Sequence, residues 1–417
     1  MSTPAAAIDA IWRTESPKLV GALTRLVRDL AVAEELAQDA LVAALEQWPR
    51  DGIPENPAAW LMRAAKHRAI DLLRHGSLVA GRHEALAREA EHLVTPDLDA
   101  RLDDVVGDDL LRLIFISCHP LLSPEAQVAL TLKLLGGLTT AEIARAFLVP
   151  EPTIAQRIVR AKRTLSEARV PFELPTGDDL AERLASVLGV IYLVFNEGYS
   201  ATAGDDVIRP GLCDDALRLG RLLAKVDPGE PEVHALLALM ELQTSRFESR
   251  VGPDAQAVPL LEQDRSRWNH AGIARGLESL RRVNALGGAL GLYALQASIA
   301  ACHATARTAD ETDWGRIAAL YDVLATLAPQ PIVELNRAVA HAMVFGPEAG
   351  LEILDGLATE PSLEAYHLLP AVRGDLLERA GRHLEARVAY ERAAGLAQKA
   401  AEKSVLLARA ARMKSPG

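Results

Sequence analysis

Apolar residues recur at intervals of three and four along most of the chain, and no stretch alternates strictly over enough residues to mark a strand. Leu19, Leu23, Leu26, Val27 and Leu30 describe one amphipathic helix. Ala33 to Trp48 gives a second, with Leu36, Ala40, Leu41, Ala44, Leu45 and Trp48 expected inward. The turn-rich run Pro49-Arg-Asp-Gly-Ile-Pro-Glu-Asn-Pro57 reads as a loop. A third helix, 58–74, sets Arg63, Lys66, His67, Arg68 and Arg74 between apolar positions. The pattern weakens and acid rises over 76–107, which reads as a partly helical tether. It resumes over 108–170, stops at the two prolines of Val170-Pro-Phe-Glu-Leu-Pro-Thr-Gly177, and continues as helical hairpins. The expected fold class is therefore all-α. The expected organisation is a domain over 8–75, a linker over 76–107, a domain over 108–170, a linker over 171–178 and a long helical region over 179–417.

Within the second block, Gly137 to Leu165 has the spacing of a helix-turn-helix. Thr139 or Thr140 can cap the first helix, with Glu142 in its first turn. Ile143, Ala144 and Phe147 share a face, Leu148-Val149-Pro150 interrupts, and Pro152 suits the first turn of the next helix. Ile154, Ile158, Ala161 and Leu165 then form one buried stripe, opposite Gln156, Arg157, Arg160, Lys162 and Arg163. A helix with such a face is shaped to enter a major groove. Thr153, Gln156 and Arg157, near its start, are placed to meet base edges, whereas Arg160, Lys162 and Arg163 suit backbone phosphates.

The hairpins beyond residue 179 contain two loosely similar stretches, Asn336 to Leu354 and Ala371 to Tyr390. Aligning Gly346 with Gly381 gives a spacing close to the ~34-residue tetratricopeptide period.

Charge and cysteines narrow the chemistry. The formal net charge of −11 argues against a protein that coats nucleic acid throughout, because phosphate binding needs positive charge. Lys133 to Arg169 is nevertheless net basic, which favours a modular chain with one part on DNA. Cys118, Cys213 and Cys302 are far apart and match no metal or disulfide spacing, so no metal is expected and a reducing cytosol is the default. The first residues lack a basic region followed by an apolar core, so no secretory signal is expected, and the longest apolar runs are too short to span a bilayer. The expected location is the cytoplasm, with no membrane contact. No phosphate loop, nucleophile elbow or zinc pair occurs, so neither catalysis nor a cofactor is expected. Cys118-His119 suits a core or cap role, and Asn196-Glu197 reads as a helix end before Gly198.

Two motifs in order carry a family resemblance. Ala33-Glu-Glu-Leu-Ala-Gln-Asp-Ala-Leu41 and Ala59-Trp-Leu-x-x-Ala-Ala-Lys-His-x-x-Ile-Asp-x-Leu-Arg74 are similar to region 2 of bacterial sigma factors of the extracytoplasmic-function class. Leu122-Ser-Pro-Glu-Ala-Gln through Leu165 resembles region 4. The chain departs from the family at Asp39, Ala40, Leu41, Ala64 and Lys66-His67, which leaves the fold expectation intact. Ile191 to Ser200 and Leu261 to Trp268 resemble the signature of a subgroup with a long tetratricopeptide-like extension.

The resemblance implies a factor that binds core RNA polymerase through its clamp and flap regions and directs initiation at promoter DNA. It implies that Gln38 and Asp39 dock on the polymerase clamp, where an acidic and amide-bearing face suits a basic coiled coil. It further implies that the 48–57 loop captures a base opened from the −10 element, with Arg50, Asp51 and Asn56 as donors and acceptors. Lys66, Arg68 and Arg74 would grip phosphate nearby. The extension is expected to regulate activity through a protein partner or through intramolecular contact. An alternative is a one-component helix-turn-helix regulator with a helical ligand- or protein-binding domain, which leaves the first block without a task.

Overall fold

Every long element is a helix because the three-to-four spacing is continuous, and the breaks fall where capping and turn residues cluster. In the computed structural model, which describes residues 4–80, 102–147, 149–175, 178–199, 210–252, 258–397 and 400–413, no strand forms among the described residues. No helix among them is long and apolar enough to cross a membrane. The chain divides into two compact units, one of residues 1–204 and 208–227, the other of 205–207 and 228–417.

The first unit begins with α1 (Pro4–Val27), α2 (Leu30–Asp51) and α3 (Pro57–Ala80). Arg28 takes a left-handed conformation (φ 56°), and Asp29 then caps α2 by accepting from the amides of Ala31 (2.8 Å) and Val32 (3.0 Å). These two residues make the turn that lays α2 back against α1. Leu19, Val20, Leu23, Leu36, Ala40, Ala44, Leu61, Ala65 and Ile70 fill the space between the helices. Trp48 lies edge-on to Trp60, with ring centroids 5.3 Å apart. Leu45, expected inward, is instead exposed, Leu41 is half-buried and Ala43 is buried. An Ala-rich helix offers more than one apolar face, and the small residues let the neighbouring helices approach on theirs.

α4 (Leu102–Ser117) crosses α1 at Gly21, where an added Cβ would stand 3.1 Å from the Asp109 carbonyl oxygen. The Asp109 side chain is buried there and accepts from Arg25 of α1 (3.0 Å) and from Arg112 (2.9 Å). Burial pushes its carboxyl up, against the pull of both guanidinium groups. The tether expected over 76–107 is helical at both described ends, since α3 runs to Ala80 and α4 starts at Leu102; residues 81–101 lie outside the described residues.

α5 (Pro124–Leu134), α6 (Thr140–Phe147) and α7 (Glu151–Glu167) follow, and then the hairpin of α8 (Asp178–Tyr199) and α9 (Pro210–Val226). Asn196-Glu197 lie in the last turn of α8, which runs one residue past Gly198 to Tyr199. Gly198 also marks a close crossing: a Cβ there would lie 2.8 Å from both the amide nitrogen and Sγ of Cys213 on α9. This hairpin packs on α4 and α5. Arg183 donates to the Phe115 carbonyl (2.9 Å), Ser186 to Cys118 O (3.1 Å) and Arg218 to Leu135 O (2.7 Å). The break between compact units thus falls between Asp227 and Pro228, some fifty residues after the proline-rich linker.

Asp215 of α9 lies 3.6 Å from Arg218, and burial pushes its carboxyl up to about 6 although Arg218 and Arg13 favour the charged form. A carboxyl whose pKa is raised by folding adds stability at low pH that is lost as pH rises through about 6. Asp215→Asn should therefore gain stability relative to the parent as pH rises from 4 to 7. The gain is up to about 3 kcal/mol, because each tenfold change in proton affinity is worth roughly 1.4 kcal/mol. Denaturant unfolding of both chains at several pH values checks this; parallel pH profiles would contradict it.

The second unit runs from α10 (Pro231–Thr244) through α11 (His270–Ala285), α12 (Leu292–Thr305), α13 (Trp314–Leu327), α14 (Pro331–Phe345), α15 (Pro347–Gly356), α16 (Leu368–Arg379) and α17 (His383–Leu396) to α18 (Ala400–Arg412). Gly346 (φ 97°) and Gly381 (φ 73°), the two residues aligned by period, both adopt the left-handed turn that reverses the chain between helices. Tyr390 packs on Gly374, where a Cβ would meet its ring at 2.8 Å, and donates to Glu378 (2.7 Å). Leu261 to Trp268 is a packing knot. Its Arg265 lies over Trp268 (4.8 Å) and donates to the carbonyls of His303 (2.6 Å) and Ala306 (2.9 Å).

Candidate nucleic-acid and polymerase interface

Thr139, rather than Thr140, caps α6. Its hydroxyl accepts from the Glu142 amide (3.2 Å), and Glu142 returns the bond to the Thr139 amide (2.7 Å). This reciprocal capping box sets the start of the helix-turn-helix. Arg13 of α1 also donates to Glu142 (2.5 Å), which ties the motif to the first helix of the chain. Burial pushes the Glu142 carboxyl up, but the Thr139 bonds and Arg13 outweigh it and hold it below the usual range.

On α7 the stripe Ile154, Ile158, Ala161 and Leu165 is buried, as its spacing predicts. The opposite side divides in two. Gln156, Arg160 and Arg163 face solvent together with Val159, which is 63% exposed. The charged positions around Val159 draw attention away from it in the sequence, yet an isolated apolar residue on such a face can meet a thymine methyl group. Arg163 pairs with Glu167 (2.7 Å). Thr153 and Arg157 are half-buried. Arg157 lines an apolar groove of about 310 Å³ with Val128, Ile143, Phe147, Ile154 and Leu193. Lys162 turns away from the exposed face altogether. Its ammonium contacts the Glu34 carboxylate of α2, which also lies 3.8 Å from Lys133 of α5.

On α2, Gln38 and Asp39 are both exposed. Gln38 donates to Glu34 (3.0 Å), and the Asp39 carboxylate stands 4.0 Å from Arg68. Val42 and Leu45, 51% and 46% exposed, continue the outward face one and two turns on. Sequence reasoning missed them by assigning Leu45 to the core; the exposed i, i+4, i+7 run from Gln38 was the available signal.

The loop after α2 is shorter than expected, because α2 runs on through Pro49 to Asp51. Arg50 and Asp51 are exposed in its last turn, and Gly52 (φ 88°) closes it by donating to Trp48 O (3.0 Å). Proline is tolerated there because only one backbone bond near the helix end is lost. Asn56 is exposed and caps α3, its side-chain oxygen accepting from the Ala59 amide (3.0 Å). Lys66 is half-buried beside Arg25 and Asp109, and burial and then Arg25 lower its pKa. The Arg74 side chain lies outside the described residues.

Cys118 and His119 directly follow α4; Cys118 is buried, and the His119 ring accepts from the Leu121 amide (3.2 Å). Gln127 donates to both of their carbonyls (3.2 and 3.0 Å), and burial pushes the Cys118 thiol up to about 12, far from thiolate chemistry at neutral pH. Among the described residues no cluster of His, Cys, Asp or Glu is placed to hold a metal ion.

Three families of known sequence match in chain order. Residues 11–78 match Sigma-70 region 2, residues 112–165 match Sigma-70 region 4, and residues 183–284 match a family of unknown function, DUF6596. An uncharacterised protein of Rhizobium meliloti (strain 1021) is 42% identical over 95% of this chain and 93% of its own length. The probable ECF RNA polymerase sigma factor SigI of Mycobacterium tuberculosis (strain H37Rv) is 26% identical over 39% of this chain and 56% of its own. The ECF RNA polymerase sigma factor SigK of Mycobacterium sp. (strain KMS) is 28% identical over 36% and 77%. The named sigma factors are thus similar to less than half of the chain, whereas the Rhizobium protein is similar over nearly all of it.

Proposed function

The chain belongs to the sigma-70 factors of the extracytoplasmic-function type, with a C-terminal helical extension, and from that premise we propose how its surfaces divide the work of promoter-specific initiation. The α2 face of Gln38, Asp39, Val42 and Leu45 docks on the polymerase clamp. Arg50, Asp51 and Asn56, around the short loop, receive a base opened from the −10 element, with Arg68 and Arg74 toward the backbone. Gln156 and Val159 on α7 read the upstream duplex, while Arg160 and Arg163 grip phosphate. Thr153, Arg157, Lys162 and Lys66 are less accessible in the described arrangement and reach DNA only after a rearrangement. The observation that carries this reading is the presence, in one compact unit, of an exposed acid-amide-apolar face on α2 and an exposed polar-basic face on α7.

Co-purification with core polymerase followed by promoter-specific run-off transcription tests the proposal. Operator binding without polymerase would favour the one-component regulator instead. Arg160→Ala should weaken binding to the upstream duplex about equally across related sequences and reduce the salt slope by about one unit, as a phosphate contact does. Loss confined to one base position would make Arg160 a base reader.

The extension, we propose further, regulates this activity from the cytoplasm, where polymerase and promoter are. The α8–α9 hairpin supports this by backing α4 and α5, and α5 in turn packs against α7 of the helix-turn-helix. A chain ended after Asp227 should change run-off yield several-fold; an unchanged yield would remove the regulatory role of residues 228–417.

A further inference from the structure

Glu34 is a carboxylate with little contact with solvent, its side chain 8% exposed, yet it lies on a helix whose neighbouring polar positions are open to water. Three donors converge on it from three elements. Lys162 of α7 contacts one oxygen, Lys133 of α5 lies 3.8 Å from the other, and Gln38 of its own helix donates to that second oxygen (3.0 Å). Two ammonium groups against one carboxylate leave an excess positive charge in a partly desolvated place. Such an arrangement is costly for a single carboxylate to hold but well suited to a phosphate, which offers more acceptor oxygens. The surroundings extend the same charge. Lys162 also lines a cleft of about 500 Å³ with Arg28 and Arg169 and the carboxylates of Asp29 and Glu173; Arg25 lines it too but is paired with the buried Asp109. Asp29 is already occupied as the cap of α2. Lys162 lies on the flank of α7, between the buried stripe and the exposed face.

We propose that Lys133 and Lys162 form a binding site for a backbone phosphate of duplex DNA, and that Glu34 fills this site from within until DNA displaces it. Glu34 is in this sense an internal competitor. It neutralises the recognition helix in the free protein and links the two DNA-binding blocks in a closed arrangement. The proposal rests on the sigma-factor reading for the identity of the DNA as promoter. The pairing of Glu34 with the lysines can be measured without it. Gln38, the polymerase-docking candidate, is hydrogen-bonded to Glu34, so polymerase binding at Gln38 would withdraw one of the donors that hold Glu34 in place.

A zero-length carbodiimide joins a carboxylate only to an amine in contact with it. Applied to the unaltered full-length chain, it should link Glu34 to Lys162, detectable as one cross-linked peptide pair. Addition of duplex DNA should lower that yield at least about threefold. No such cross-link, or a yield indifferent to DNA, would overturn the proposal without any variant being made. Glu34→Gln should then raise the affinity for duplex DNA about tenfold at low salt and steepen its salt dependence by about one unit, about 0.9 per phosphate gained. Lys133→Met added to Glu34→Gln should reverse part of that gain, whereas an unaltered affinity would show that Lys133 holds no phosphate. Failure of run-off transcription with these results intact would overturn only the sigma-factor reading. Binding of inorganic phosphate that competes with the cross-link while duplex DNA does not would replace DNA with a small anion as the occupant.

Discussion

Glutamate at both Val42 and Leu45 should lower the affinity for core polymerase at least about a hundredfold while leaving helicity and melting unchanged. Both side chains project from α2 into solvent, so the folded chain loses no core contact when they are replaced. Exposed apolar residues one and two turns from Gln38 form the centre of a face whose edge is Gln38, Asp39 and Arg68. Truncating one well-placed anchor at such a centre costs about 1–2 kcal/mol of binding, and adding two carboxylates to a desolvated patch costs more. About 2.8 kcal/mol corresponds to a hundredfold. Biolayer interferometry with immobilised core polymerase reads the loss directly. Parental affinity in the double variant would remove the outward face of α2 from the contact. The same substitution at Leu36 or Ala40 should instead unfold the first unit, because those positions are buried.

Ending the chain after residue 177 should yield an aggregated or unfolded protein, whereas ending it after Asp227 should leave the first unit soluble and cooperatively folded. The α8–α9 hairpin carries Val187, Leu188, Val190, Ile191, Val194 and Phe195, all buried. At roughly 1.5–3 kcal/mol for each fully buried side chain, the burial at stake is comparable with the whole stability of a domain, about 5–15 kcal/mol. The cut would also remove Arg183 from the Phe115 carbonyl and Arg218 from that of Leu135. Size-exclusion chromatography and thermal melting of the two truncated chains settle the matter. Equal solubility and melting would show that the hairpin is dispensable to the core of the first unit. For regulation, only the later cut separates a role of residues 228–417 from simple destabilisation.

Much of the local structure was legible because its causes lie within a few residues. The stripe Ile154, Ile158, Ala161 and Leu165, the cap before Glu142 and the glycine turns at 346 and 381 each depend on neighbours no more than a turn or two away. Errors arose where a local cue admitted two outcomes. Pro49 and Gly52 suggested a loop from residue 49, yet α2 tolerates a proline close to its end and stops only at Gly52. Gly198 stands one residue before the end of α8, but its neighbours in the chain carry no sign that it also lets α8 and α9 touch. Leu45 fitted an inward pattern, but alanine-lined faces left the choice of buried side to the packing of α1 and α3.

The candidate site divides along the same line. Gln156, Arg160 and Arg163 project outward as helical spacing requires, and the order of the two sigma blocks was readable from their motifs alone. By contrast, Lys162 reads as one more cation on a basic face until α2 is laid beside α7. Its partner Glu34 stands 128 residues away in the chain, and Arg13 and Glu142 are 129 apart.

The amino-acid sequence by itself determined the helices, their caps and the two-part sigma character, because periodicity and capping act through bonds that close within one or two turns. Tertiary structure alone decided which polar groups meet solvent, where the first unit ends and which carboxylate occupies the Lys133–Lys162 site. Those outcomes depend on how helices far apart in sequence are oriented against one another. A charged side chain carries no local record of whether it will face water or an opposite charge brought up by another helix.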